Sequence, residues 1–409
     1  MGAPVNYQKR DPKTIESDCK HSMSHLNWCL EHFHRFEIDP QGLEYLEFGP
    51  GVGFGSQLIL SSIGVQVTLA DRFIAPWDDD YHPALYRRMA ELWDGSKDAL
   101  LAAIRDNGYS RSGLTLLEEP AEDLASVKDS SMGFVCSLAV LEHIVDLTSV
   151  AQETGRVLRS GGYAAHLVDW RDHRNFDRPL EFLTTPDEYF ASMSSDANME
   201  WGNRYRPSEF QPHFEAAGLR MIDRADSTFA TPDYFCELLP RLRRSASSYR
   251  NWPEDDLRAV SGGLFFRREE ADDEMRTRSR ASLARMDELK RSSLAEGRQE
   301  LTTRLAANVE AVVELDASAM TQSGLSWLMQ VPGTSGDTPS EPERSTALAF
   351  EDDRPLGPPH SLHESVRTRG AGRFSHWNET LYLSTSDNSS PAENGRRYTL
   401  RVYRGLPPI

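Results

Sequence analysis

Several things are missing from this chain, and each absence removes a class of function. No run of about 18 apolar residues occurs, so no helical membrane span is expected. The four cysteines (Cys19, Cys29, Cys136 and Cys236) form neither a CxxC nor a zinc pattern. Their wide spacing fits a reduced compartment better than a disulfide scaffold. Basic charge is scarce: 45 Lys and Arg face 63 Asp and Glu, a formal net charge of −18. That balance argues against nucleic acid or an anionic membrane as the main partner. The opening residues MGAPVNYQKRDPK lack the apolar stretch of a signal peptide. Gly2 is not followed by the Ser or Thr of a myristoylation signal, and a cytoplasmic protein is expected. Asn378 and Asn388 open NET and NSS, sequons without meaning in that compartment.

At 409 residues, 39% of them hydrophobic, the chain is long enough for two or three domains with a real core. From Ile15 to Phe36 apolar residues fall in steps of three or four, a helix that Asp39-Pro40 and Gly42 would end. LEYLEF then reads as a strand, SQLILSSIG as a helix closed by Gly64, and VQVTLAD as a second strand. A helix is expected around Pro83–Asn107, followed by strands at LTLLEE and MGFVCSLAV. LTSVAQETGRVLRSGG reads as a helix stopped by its glycines, and YAAHLVDW as the fifth strand. LRMIDRADS and SGGLFFRR supply two more. Strands alternating with helices predict an α/β domain with a mostly parallel sheet, ending near Arg268. Residues 269–313, charged and nearly free of glycine and proline, predict a solvent-facing helical connector without a clean heptad. After a Pro/Ser-rich loop, STALAFED, ETLYLST and RYTLRVYRG predict a small β-rich module within 314–409. The expected domains are therefore 1–268, 269–313 and 314–409.

The stretch LEYLEFGPGVGFGS (Leu43–Ser56) sits at the carboxyl end of the first strand, where open α/β sheets bind ligands. Each glycine there costs conformational entropy, so something must approach the backbone closely. No reading frame satisfies the dinucleotide fingerprint G-x-G-x-x-G, and a P-loop lysine is absent. What remains is E-x-G-x-G-x-G: Glu47, Gly49, Gly51 and Gly53.

This pattern resembles motif I of class I S-adenosylmethionine-dependent methyltransferases. The resemblance extends over about residues 40–225, through four motifs in order, each at a strand end. It implies a Rossmann-like, seven-stranded, mostly parallel sheet and S-adenosylmethionine as cofactor. It also implies that Asp71, ending the second strand, grips the ribose hydroxyls, since a carboxylate can accept two such bonds. Ala121 and Glu122, in PAEDLA, correspond to the adenine-binding segment. SLAVLEHIVD (Ser137–Asp146) resembles the family's motif after the fourth strand, which adds Ser137 and Leu138 to the cofactor set and brings Glu142-His143 beside it.

The pairing of VDWRDHRNFDRPLEFLT with NRYRPSEFQPHFEAAGL resembles bacterial methyltransferases associated with cell-surface polysaccharides and glycolipids. That narrower resemblance implies O-methylation of a sugar, nucleotide sugar or glycan hydroxyl. Alternatives are a carboxylate, amine or lipid acceptor, or a methyltransferase-like glycan-binding protein with little activity. A hydroxyl acceptor must be aligned and lose its proton, and histidine suits that task near neutrality. His173 is the first candidate base and His143 the second. Asp172, Asn203, Arg204 and Arg206 are candidate acceptor ligands, the arginines because they suit a sugar or phosphate. No metal is expected. Asp169 with Asp172 could hold a divalent cation with the acceptor, whereas His21, His25 and His32 share a helix with Cys29 but lack a completing carboxylate or cysteine pair. Trp77–His82 (WDDDYH) reads as a solvated acidic loop or a lid. Trp377 and Tyr382 could stack on sugars, although a place in the module's core is the simpler expectation for Trp377. The expected partner is a small-molecule or glycan substrate, and no oligomeric state follows from the sequence.

Overall fold

The computed structural model describes residues 10–196, 201–269 and 272–405. The first nine residues, part of the stretch read for targeting signals, lie outside them. Contacts divide the chain into two compact units: one through 171 with 203–229 and 255–286, the other 172–202, 230–254 and from 287 on.

The first unit is built on a sheet of β1 (Glu44–Phe48), β2 (Gln66–Asp71), β3 (Leu114–Glu118), β4 (Met132–Leu138), β5 (Leu158–Asp169), β6 (Leu219–Phe229) and β7 (Ala259–Arg268). Their order is β3-β2-β1-β4-β5-β7-β6. β1 to β5 run parallel, and β7 lies antiparallel to both β5 and β6. A sheet covered on both faces needs apolar residues on both, so its central strands read as continuous apolar runs. All but the last residue of β4 are buried.

One face carries Tyr45, Val67, Leu69, Phe134 and Cys136, packed against α1 (Ile15–Arg35), α2 (Gly55–Ser62), α3 (His82–Leu92) and α4 (Asp98–Asp106). The other carries Leu46, Phe48, Val135 and Ala164, packed against α5 (Leu147–Val157) and α7 (Pro207–Ala216). The helix expected around Pro83–Asn107 is thus two helices. α1 buries Cys19, Leu26, Cys29 and Phe33, the expected stripe. It stops before Pro40, because Glu37 turns into the left-handed region (φ 54°). α5 ends at Val157 rather than at the glycines. Leu158 is extended and fully buried, and β5 runs on through Gly161 and Gly162.

The second unit holds α6 (Asp187–Asp196), α8 (Pro232–Arg244), and two four-stranded sheets. One is β13 (Phe374–Trp377), β14 (Thr380–Leu383), β10 (Ser326–Gln330) and β9 (Thr321–Ser323). The other is β12 (Arg354–Pro355), β11 (Ala347–Glu351), β15 (Tyr398–Tyr403) and β8 (Val309–Leu315). Leu315, Ala349, Phe374, Leu381, Leu383 and Leu400 lie in its core. Trp377 is outside that core. It is half-buried, with His363 of α11 (His363–Thr368) edge-on to it at 5.7 Å and stacked on Tyr382 at 4.0 Å. The short α9 (Glu254–Arg258) precedes β7, and α10 (Asp273–Asn308) is a single 36-residue helix within which the division between units falls.

These units do not follow the boundaries expected at 268 and 313. Residues 172–202 and 230–254, inside the expected methyltransferase domain, pair with much later ones. Tyr189 Oη donates to the Leu356 carbonyl (3.2 Å), Arg298 pairs with Glu188 (2.7 Å) and Arg250 with Glu300 (2.6 Å). Composition varies along the chain and cannot register such returns. No helix among the described residues is long and apolar enough to cross a membrane.

Candidate active site

The strand order reverses between β1 and β4, so the crevice outside their carboxyl ends is where such a sheet binds ligands. The glycine turn leaves β1 there. Gly49 donates its N–H to the Ala70 carbonyl (3.0 Å) and has φ 59°. A Cβ on it would lie 2.5 Å from Val140 Cγ2. Gly51 has φ 71°, and a Cβ there would meet nothing within 4 Å. Bare backbone therefore faces open space at Gly51, as a closely approaching ligand requires. Gly53 and Gly55 serve packing instead: a Cβ would lie 3.0 Å from Leu85 Cδ2 at the first and 2.1 Å from Met89 Sδ at the second.

In the acidic loop Trp77–His82, Asp79 and Asp80 are exposed, as a solvated loop requires, whereas Asp78, Tyr81 and His82 are buried and anchor it. His82 is buried, accepts the Asp78 N–H at Nδ1 (2.7 Å), and so presents Nε2–H to the Val52 carbonyl (2.8 Å) inside the glycine turn. Burial lowers its pKa and keeps the ring neutral for that task.

Glu47 points beneath the turn rather than out of it. Its carboxylate is 2% exposed and accepts from Tyr45 Oη (2.7 Å) and Gln57 Nε2 (2.8 and 2.9 Å). Tyr45 Oη also meets Cys136 Sγ (2.9 Å), and His25 Nδ1 meets Ser56 Oγ (3.1 Å). The ring nitrogen and sulfurs of His25, Cys29 and Cys136 come within 4.8 Å of one another. Cys136 and Glu47 thus supply, from the strands, partners that α1 alone lacks. Burial pulls the His25 pKa down, but Glu47, 3.8 Å away, and Cys29 outweigh it and hold it at about 9. A buried carboxylate in such a network fixes the turn above it.

Asp71 ends β2 half-buried, with Oδ1 accepting the Phe73 N–H (3.0 Å), which leaves acceptor capacity for a diol. Burial raises its pKa, against the pull of the Phe73 and Arg72 amides. Next to it Arg72 bonds Glu122 (2.6 Å), tying the loop after β2 to the loop after β3, where Ala121 is buried. Ser137 turns its hydroxyl to His166 Nδ1 across the sheet (2.8 Å), so its side chain is spent within the core. Half-buried Leu138 ends β4, followed by Ala139 at φ 53°.

After β4 comes a tight turn, Leu141–His143. His143 is half-buried. Glu142 is buried, and neither of its carboxylate oxygens reaches a well-formed hydrogen bond among the described residues. Burial raises its pKa to about 8, helped by the Asp169 carboxylate and opposed by backbone amides and Arg171. A buried acid poised near neutrality at this end of the sheet is a group fit for proton transfer. The pair Glu142-His143 stood in the motif, but no signal in the sequence singled out the glutamate.

Two expected acceptor ligands are occupied elsewhere. Asn203 Nδ2 donates to the carbonyls of Leu141 (2.7 Å) and Ile144 (2.9 Å), and its N–H to that of Glu142. Arg206 is fully buried, with guanidinium N–H groups on the carbonyls of Trp170 (3.1 Å), Leu257 (3.2 Å) and Ala259. Its donors are consumed by loop carbonyls that would otherwise be unsatisfied. Arg204 is buried beside them. Asp169 is held bidentately by Arg171 (2.7 and 2.6 Å), which closes it to a cation.

Asp172 and His173 belong to the second unit. Asp172 is buried and held by Arg174 (2.8 and 2.6 Å) and the Phe182 N–H (3.1 Å), so it shapes its loop rather than meeting an acceptor. His173 is half-buried, its N–H on the Trp201 carbonyl (3.2 Å) and its ring 5.6 Å from Phe176.

A family model described as a methyltransferase domain matches residues 22–224. No curated protein matches the chain. Among solved structures, it is similar to geranyl diphosphate C-methyltransferase from Streptomyces coelicolor A3(2), with 15% identity over 64% of this chain and 86% of that one, TM-score 0.35. It is also similar to Haemonchus contortus phosphoethanolamine N-methyltransferase 2 in complex with S-adenosyl-L-methionine, with 16% identity over 60% and 53%, TM-score 0.35. A third is an S-adenosylmethionine-dependent methyltransferase from Mesorhizobium loti, with 14% identity over 58% and 96%, TM-score 0.34. The first unit has the Rossmann-like methyltransferase fold. The methyl donor is S-adenosylmethionine, and the open backbone at Gly51 and the carboxylate at the end of β2 fit it.

Proposed function

We propose that this chain, whose residues 22–224 carry a methyltransferase domain, methylates a hydroxyl of a sugar, nucleotide sugar or glycan. S-adenosylmethionine supplies an electrophilic methyl group on a sulfonium. The chain must hold that group, align the acceptor oxygen in line with it, and take the acceptor's proton. In this reading the glycine turn and Asp71 hold the cofactor, with Ala121, Glu122 and the backbone of Ser137 and Leu138 along the adenine side.

The observation that carries the hydroxyl reading is a half-buried histidine, His173, just past the end of β5. It follows the last residue of β5 by four positions. An acceptor oxygen needs a base near neutral pH far more than a thioether or a preformed anion would. His173 is the proposed base. His143 is the alternative base.

The test is transfer of labelled methyl from S-adenosylmethionine to a panel of nucleotide sugars, free sugars, amines and carboxylates. Label on a hydroxyl, with His173→Gln slowing turnover by about 10²–10⁴ while leaving S-adenosylhomocysteine affinity intact, is the expected result. Label confined to amines or carboxylates, or a His173→Gln variant as fast as the wild type, would overturn the respective part. Activity should survive EDTA, since both candidate carboxylates, Asp169 and Asp172, are engaged by arginines.

A further inference from the structure

The second unit encloses a cavity of about 760 Å³, in the range of sites for ligands the size of a nucleotide. Its lining has five arginines (Arg174, Arg178, Arg241, Arg244 and Arg304) against three carboxylates, Asp172, Glu181 and Glu343. On a chain of net charge −18, a cationic cavity runs against the general trend. Three of the arginines are neutralised: Arg174 by Asp172 (2.6 Å), Arg178 by Glu181 (2.9 Å) and Glu237 (2.7 Å), and Arg241 by Glu181 (2.6 Å). Arg244 and Arg304 have no ion pair among the described residues.

Arg304 is the more telling of the two. Its Nη2 is buried without a hydrogen-bond partner among the described residues. Burial lowers its pKa, and the Arg244 and Arg250 cations add to that against Glu300. Glu300 is already engaged by Arg250 (2.6 Å). Two guanidiniums share one cavity, one of them partly dehydrated. Such an arrangement costs stability unless an anion joins them, and an unmade buried donor is expensive. Guanidinium forks match phosphate oxygens bidentately. Thr184, Thr185 and Ser245 line the same space with hydroxyls, and Pro240, Pro358 and Met193 give it apolar wall.

We infer that this cavity binds the phosphate or diphosphate group of a small phosphorylated ligand, with Arg304 and Arg244 as its ligands. Taken with the proposed function, the ligand is a phosphorylated sugar acceptor, most simply a nucleotide sugar. That identification rests on the function reading, whereas the oxyanion site does not.

The test is calorimetry on the full chain with inorganic pyrophosphate, UDP and a UDP-sugar. Wild type is expected to bind pyrophosphate. Arg304→Gln and Arg244→Gln should each weaken it about tenfold or more without changing S-adenosylhomocysteine affinity. Tighter binding of the UDP-sugar than of pyrophosphate assigns the site to a nucleotide sugar, and equal binding to the oxyanion alone. Because Arg304 has no ion pair among the described residues, Arg304→Met should melt no lower than wild type in phosphate-free buffer, and the melting temperature of wild type alone should rise with pyrophosphate. Absence of pyrophosphate binding, affinity indifferent to both glutamine variants, or a clear loss of stability in Arg304→Met would each overturn the proposal. Pyrophosphate binding that depends on both arginines, without methyl transfer to any nucleotide sugar, would leave the oxyanion site standing and remove the acceptor reading.

Discussion

Asn203 holds Glu142 in place: its backbone N–H donates to the Glu142 carbonyl while its side-chain amide bonds the carbonyls of Leu141 and Ile144 on either side (2.7 and 2.9 Å). The motif after β4 and the segment that begins at Asn203 are thus one structural device. Asn203 sets the turn that presents a buried acid at the carboxyl end of β4.

Replacing Asn203 with Ala removes the amide donor from the Ile144 carbonyl and leaves the Leu141 carbonyl only the long bond from the Ile144 N–H (3.4 Å), and the variant should lose about 1–3 kcal/mol of stability by urea denaturation. Turnover should fall as well, because the Glu142 turn loosens. A variant within about 0.5 kcal/mol of wild type would mean that solvent replaces the amide and that the turn does not depend on it.

Gly49 is needed for a different reason. A Cβ there would sit 2.5 Å from Val140 Cγ2 on a backbone at φ 59°. Gly49→Ala should therefore destabilise the domain by about 1–3 kcal/mol. Adding Val140→Ala should recover part of that loss, but not all, since the strained φ remains. A purely additive double variant would show that the clash is relieved elsewhere.

The alternation of strands and helices, the glycine turn and the carboxylate ending β2 were all legible, because each follows from local sequence. Less legible was what the side chains do once folded. Arg206 and Asn203 read as ligands because Arg and Asn carry donors. Whether those donors face solvent or loop carbonyls depends on segments far away, here Trp170, Leu257 and the Leu141–His143 turn. His82 and Gln57 were invisible for the same reason. Glu47 read as a cofactor ligand, yet its partners come from α1, α2 and its own strand. The return of residues 172–202 and 230–254 to the C-terminal sheets had no compositional mark either.

Glu142 should leave a signature in stability as a function of pH. Its folded pKa, about 8, lies above the ordinary 4.5 of an unfolded glutamate. Between those values the folded state binds the extra proton, so stability falls as pH rises through the window, by up to about 1.4 kcal/mol per pH unit from this group. Glu142→Gln should flatten that slope, gaining on wild type at pH 8 relative to pH 5. Parallel pH profiles for the two proteins would show that Glu142 titrates normally.

His25 adds a second fall at higher pH. Held at about 9 by Glu47 despite burial, against an unfolded 6.5, it contributes stability that is complete below 6.5 and is lost as pH climbs through 9. Glu47→Gln should abolish that alkaline loss while lowering stability at pH 6, and circular dichroism melts across pH 6–10 would read both. An unchanged alkaline limb would mean that His25 is neutral beside Glu47.

The most direct measurement is calorimetric binding of S-adenosylhomocysteine to wild type and to Asp71→Ala. Wild type should bind one equivalent. The variant, still folded, should bind more weakly by about 2–3 kcal/mol, the loss of charge-assisted bonds to the ribose hydroxyls. No binding to wild type, or equal affinity in the two proteins, would contradict a cofactor site built from the glycine turn and the end of β2.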